Sequence, residues 1–165
     1  MAYISVSDLL DRYGTEEILQ RTDKTELVSE ELMEAAVAGE DLSGYPPEEQ
    51  AAVADAIRLA EIAANDATDL INGYIAGRYQ LPLMPVPGVL IRLCSEVARY
   101  NLYDDAPTEA IQDRKTATLK TLRDIADGRL SLGADKLGAA PQTAQSAVMV
   151  SDGRVFGRES TGGFI

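Results

Sequence analysis

Nucleophilic catalysis and metal ligation draw most often on histidine and cysteine, and this chain of 165 residues has no His and one Cys, Cys94. Without an imidazole, a Ser-His-Asp triad, a Cys-His pair and a His-ligated metal are excluded. A single thiol also excludes an internal disulfide framework or a Cys-rich zinc site, and fits a reducing compartment. Cys94 lies beside an apolar stripe between Leu93 and Val97 and reads as a buried structural thiol rather than a nucleophile. Carboxylates are the plentiful candidates, visible as the pairs Glu16-Glu17, Glu30-Glu31 and Asp104-Asp105. Adjacent helix residues do not face each other, and acids at helix ends suit the macrodipole, so these pairs read as caps rather than acid–base catalysts. Asp23-Lys24-Thr25-Glu26 begins as a calcium loop does, but Val28 stands where the sharp turn needs Gly. Gly162-Gly163 lacks the strand, helix and Lys of a phosphate cradle. Arg92 and Arg99, seven residues apart, could form a small basic strip with Arg78. That is too little for duplex DNA against a net charge of −12, and surface ion pairing is the expected use. Tyr74, Tyr79, Tyr100 and Tyr103 read as core with hydrogen-bonded hydroxyls rather than as a ligand box. The residues call for no cofactor and no metal, and a non-catalytic chain is expected.

The elements that position these residues are helical. Ser7, just before Leu9, Leu10 and Tyr13, is expected to cap a first short helix that Gly14 ends, and Thr15 to cap a second over Glu16 to Gln20. Ser29 leads into a third with Leu32, Met33, Ala36 and Val37, stopped by Gly39. Residues 39–47 carry enough Gly and Pro to read as a loop. From Pro46-Pro47 to Tyr79, apolar or small residues recur at steps of four and three (Val53, Ile57, Ala60, Ala64, Ala67, Ile71, Tyr74), which predicts one long helix or two nearly collinear ones. Its many alanines would let a neighbouring helix approach closely. Gly73 and Gly77 either share that packing face or loosen the last turn. Three prolines in residues 81–87 force an extended segment. A helix follows with Val89, Leu90, Leu93, Val97, Tyr100 and Asn101 on one stripe. The last helix is marked by Ile111, Thr118, Leu119, Leu122, Ile125 and Ala126 and closed by Gly128.

After Gly128 the character changes. Residues 129–147 read as an extended linker. Val148 and Val150, then Arg154, Val155 and Phe156, flank Asp152-Gly153, a strong hairpin signal. An isolated two-stranded hairpin is marginal and needs something to pack on. The expected architecture is an all-α bundle of five to six helices with one long central helix over residues 1–128. An extended arm with a short β-hairpin over 129–165 completes it.

Charge is uneven. Residues 1–50 hold 13 acids and 3 bases, whereas 51–100 hold 5 and 4, and 101–165 hold 9 and 8. The longest uncharged run is the 15 residues between Lys136 and Asp152, short of a membrane helix, and residues 1–8 have no signal-like basic and apolar regions. Neither a membrane span nor a secretory signal is expected.

Ile71-Asn72-Gly73-Tyr74-Ile75-Ala76-Gly77-Arg78-Tyr79-Gln80-Leu81-Pro82-Leu83, Val86-Pro87 and the stretch Val97 to Asp105 resemble the small head–tail adaptor (connector) proteins of Mu-like phages and prophages. Tyr3 to Ile18 and Gly153 to Arg158 are similar in style. Residues 38–52 look like an insertion relative to that family. The resemblance implies a virion subunit at the head–tail interface, forming a ring, twelve-fold by expectation, between the portal protein and a tail-completion or tail-terminator protein. DNA would pass through without sequence-specific binding. Gly73, Tyr74, Arg78, Tyr79, Leu81, Pro82, Tyr100 and Tyr103 would be its packing motif. Val148, Val150, Arg154, Val155, Phe156, Arg158 and Phe164 would dock an arm, disordered or hairpin-like in the free subunit, onto the portal. An arm with β-prone runs suits strand addition to a partner sheet. An acidic ring would repel phosphate, which makes Glu30, Glu31, Glu34, Glu40 and Asp41 candidate channel-facing residues. The alternative is a small acidic binding module, a host-factor inhibitor or DNA mimic, acting through the same acidic third.

Overall fold

In a computed structural model of the chain, residues 2–104 and 106–133 are described. They form six helices: α1 (Val6–Tyr13), α2 (Thr15–Thr22), α3 (Glu30–Ala38), α4 (Pro47–Ile75), α5 (Gly88–Leu102) and α6 (Glu109–Ala126). Among the described residues the structure is all-α with one long central helix. The expected hairpin around Asp152-Gly153 lies outside them.

The 29-residue α4 is unbroken and touches every other helix. Pro47 opens it, where a missing N–H costs nothing. Its buried side is largely alanine, with Ala56, Ala60 and Ala67 fully covered and Ala52, Ala63 and Ala64 nearly so. Lacking bulk beyond Cβ, these positions let α5 lie close along the helix, and Leu90, Leu93, Val97 and Ala98 fill the seam. Cys94 is fully buried there, its Sγ 3.5 Å from the Thr68 hydroxyl, and burial pushes its thiol up to about 11. α6 covers one flank of the α4–α5 pair through Ile111, Leu122 and Ile125. α1, α2 and α3 cover another through Leu9, Ile18, Leu32 and Met33, all essentially without exposure. Ahead of α1, the Tyr3 N–H donates to Thr68 Oγ1 at 3.0 Å and its hydroxyl to Asn72 Oδ1, which ties the chain start to α4.

Two expected caps are corrected. Ser5, not Ser7, caps α1: its Oγ accepts from the Asp8 N–H at 3.2 Å while Asp8 Oδ2 accepts from the Ser5 N–H at 2.7 Å, a reciprocal capping box. Val6 is buried, so the apolar face starts before Leu9 and the cap moves with it. Thr15 is the first residue of α2 rather than its cap. Gly14 takes the cap position at φ 89°, a region a side chain would disfavour. The buried Thr15 hydroxyl instead donates to Glu34 Oε1 at 2.8 Å, joining α2 to α3. α2 also continues past Gln20 to Thr22. The long helix ends at Ile75, and residues 76–78 form a turn whose bonds to Ile75 O carry the chain to Tyr79.

Candidate functional site

The turn after α4, the proline segment 81–87 and the chain leaving α6 meet at one end of the bundle. Tyr79 is fully buried, and its hydroxyl accepts from the Leu132 N–H at 3.0 Å. Leu132 is half-buried against the core, together with Leu81 and Val86. Gly128 follows α6 at φ 81°, and the Arg78 guanidinium lies over it so closely that a Cβ built on Gly128 would stand 1.9 Å from Nη1. The backbone angle favours glycine here, and a side chain at this position would also displace the Arg78 guanidinium. Arg78 Nε is buried with no hydrogen-bond partner among the described residues, so the side chain packs rather than pairs at its stem. Beyond Gly128, the N–H groups of Arg129 and Leu130 both donate to Asp124 O, and the Arg129 guanidinium reaches the Asp124 carboxylate at 3.1 Å. Residues 128–132 are therefore held at several points, and the chain departs from a fixed root. A groove of about 540 Å³ runs beside that root, lined by residues 80–87 with Leu132 and Gly133, with Met84 71% exposed at its edge.

A second cluster fastens the N-terminal helices to α5. Glu17 accepts from Arg99 Nε at 2.6 Å and Nη2 at 2.8 Å, and from the Tyr103 hydroxyl at 2.9 Å. Arg99 also lies over the Tyr13 ring and Arg21 over the Tyr103 ring, at 4.5 and 4.1 Å from the centroids. Burial alone would raise the Glu17 carboxyl, but the bonds from Arg99 and Tyr103 and the charges of Arg99 and Arg21 outweigh it and hold it below its ordinary value. The Tyr13 hydroxyl is pushed up to about 12 by burial and by Glu96.

The sequence-predicted residues separate into distinct roles. Tyr79 and Tyr103 are core or half-core with bonded hydroxyls, as expected of them. Tyr74 is half-buried against the core, and Tyr100 carries the Lys115 ammonium 3.5 Å above its ring. Gly73 and Gly77 are exposed with open space around them, and Pro82 is exposed in the proline segment. The basic strip of Arg78, Arg92 and Arg99 does not form: Arg99 is turned inward to Glu17, Arg78 covers Gly128, and Arg92 lines a separate groove between α5 and α6. Glu17, read as a dipole acid, is half of the clamp, a role that its position in sequence gives no sign of. Asp23 forms a local turn, accepting from the Thr25 N–H and hydroxyl and from the Val28 N–H. Glu30, Glu31, Glu34, Glu40 and Asp41 are all exposed on α3 and the loop after it. The Ser43 N–H and hydroxyl hold the Asp41 carboxyl below its usual range. The arm residues Val148, Val150, Arg154, Val155, Phe156, Arg158 and Phe164 lie outside the described residues.

The family model described as Bacteriophage Mu, Gp36 matches residues 3–151, which takes in all six helices and the root beneath the proline segment. The chain belongs to this family. The Mu-like prophage FluMu protein gp36 of Haemophilus influenzae is 38% identical over 103 residues, covering 62% of this chain and 73% of the relative. Gene product J of Escherichia phage Mu is 38% identical over 105 residues, covering 63% and 74%. This Gp36-family chain is thus a protein of the Mu-like phage lineage. No helix among its described residues is long and apolar enough to cross a membrane.

Proposed function

We propose that the chain is a non-catalytic structural protein of the virion, a head–tail adaptor. Copies form a ring between portal and tail, DNA passes through its lumen, and residues 134–165 reach the portal. The observation that carries this reading is the anchored root. Arg78 over Gly128 and Tyr79 bonded to Leu132 place the start of the C-terminal segment at a fixed point on a rigid bundle. Fixing the root of a binding segment lowers the ordering cost when its far part docks. Family membership in a phage lineage supports the same reading.

The acidic first third supplies the second element. Exposed carboxylates such as Glu30, Glu31 and Glu40, repeated around a ring, would repel phosphate and let DNA slide. The reading as an acidic binding module, a monomer or dimer, makes no use of the anchored root.

Truncation after Gly138 is expected to leave the helical circular-dichroism signal of the bundle in place, because none of the six helices among the described residues is touched. Retention on immobilised portal protein should fall to background. Full retention by the truncated chain would remove the arm from the reading, and steeply salt-dependent capture of a basic partner without the arm would favour the acidic module.

A further inference from the structure

The groove beside the root of the C-terminal segment has no charged side chain among its lining residues, 80–87 with Leu132 and Gly133. Leu83 is buried, whereas Met84 is largely exposed, with Pro82 and Pro85 exposed on either side of it. The backbone there is also short of partners. Among the described residues, neither the N–H groups of Leu81, Leu83, Met84 and Val86 nor the carbonyls of residues 81–86 make a backbone hydrogen bond. Pro82, Pro85 and Pro87 have no N–H to give, so the segment cannot enter a regular ladder and offers its donors at irregular intervals. A cover suited to this surface brings apolar side chains together with backbone groups of its own.

The chain itself supplies a segment of that kind. It leaves the root at Gly133, which borders the groove, and the sequence continues Ala134-Asp135-Lys136-Leu137-Gly138-Ala139-Ala140-Pro141. Both charges fall on the three-residue link, and the longest uncharged run in the protein, 15 residues, begins at Leu137. Leu137 is the first branched apolar residue after the groove, and no other follows until Val148. Gly138, Ala139 and Ala140 have no bulk beyond Cβ to hold their backbone away from the prolines. Extended chain spans at most about 14 Å from Gly133 to Leu137, enough to enter a groove that Gly133 borders.

We propose that residues 137–141 lie in this groove of their own copy, Leu137 beside Met84, so that the arm leaves the bundle at residue 142. The three-residue link closes at lower entropic cost than the 14 residues between Gly133 and Val148. So short a tether also keeps the effective concentration of Leu137 at the groove about millimolar or higher. Val148 to Val150 and the residues beyond stay available to the portal. The inference lengthens the fixed root and does not depend on the adaptor reading.

Methionine oxidation tests it with the full chain. Hydrogen peroxide converts accessible methionine to its sulfoxide, and Met84 is followed by peptide mass spectrometry, with the fully buried Met33 as an internal report on folding. In the comparison variant, Leu137→Asp/Ala140→Asp, two carboxylates would have to enter an uncharged groove, which expels the segment. Neither position lies in the six helices, so circular dichroism and Met33 protection should match the unmodified chain. A groove covered about nine-tenths of the time leaves Met84 reactive for the remaining tenth, so Met84 should oxidise about tenfold more slowly in the unmodified chain than in the variant. Leu137→Ile keeps the apolar bulk and should keep the protection. About hundredfold dilution should not change it, since link and groove belong to one molecule. Equal rates at Met84 in the unmodified chain and the double variant overturn the proposal. Protection that fades on dilution also overturns it and moves the occupant to a second copy. Because no portal protein takes part, either failure leaves the adaptor reading where it stood.

Discussion

Arg99→Ala is expected to destabilise the fold by about 3 kcal/mol, because it leaves the Glu17 carboxylate in a mostly buried setting with only the Tyr103 hydroxyl as partner. The Arg99 and Glu17 side chains are 17% and 21% exposed, so water replaces the lost bonds only in part. In a domain of this size that corresponds to a fall in melting temperature of about 10 °C by circular dichroism. Arg99→Lys should recover little, since an ammonium cannot make the two parallel bonds to both carboxylate oxygens or stack on Tyr13. The same cluster sets an acid limit. Glu17 is held below its ordinary value of 4.5, so it stays ionised in the folded chain at a pH where the unfolded chain takes up a proton. Its contribution is fully present above about pH 4.5 and is lost as pH falls through the folded value. Glu17→Gln should therefore lower stability at neutral pH and flatten the decline toward about pH 3. A melting temperature unmoved by Arg99→Ala would show that the α2–α5 junction is held by Ile18 and Leu19 packing alone.

That clamp illustrates what the sequence conveys and what it withholds. Helix α4 is legible because its alanines and β-branched residues repeat at steps of three and four, a period that fits one long helix or two nearly collinear ones, and the structure has one, ending at Ile75. The breaks at Gly14, Gly39 and Gly128 were legible too, since all three adopt positive φ where glycine alone is at ease. The burial of Cys94 followed from its neighbours Leu93 and Val97. Contacts across long separations carry no such local signature. Glu17 and Arg99 stand 82 residues apart, and each alone fits a commoner role, a dipole acid and a surface base. Arg78 likewise reads as the third member of a small basic strip with Arg92 and Arg99 until the chain leaving α6 brings Gly128 beneath it. The cap falls at Ser5, two residues before Ser7, for a different reason: Leu9 and Leu10 mark the apolar periodicity in the sequence, while in the structure Val6 already begins the buried face.

The root of the C-terminal segment gives the other large effect, and two substitutions at Tyr79 separate its packing from its bond. Tyr79→Ala removes a fully buried ring from the junction of α4, the proline segment and Leu132, and is expected to cost about 3–5 kcal/mol. Tyr79→Phe keeps the ring and removes only the acceptor for the Leu132 N–H, an expected cost of about 1 kcal/mol. The bundle should melt nearly as before, yet amide exchange at Leu132 should quicken, because that N–H loses its only bond to the bundle among the described residues. If the root presents residues 134–165 to the portal, Tyr79→Phe should also weaken portal binding, since loosening the root restores the ordering cost that the fixed geometry removes. A structural role in the core alone makes a different prediction: portal affinity would follow stability, and Phe would bind like the unmodified chain. Unchanged affinity together with faster Leu132 exchange would therefore show that the arm does not depend on where its root is held.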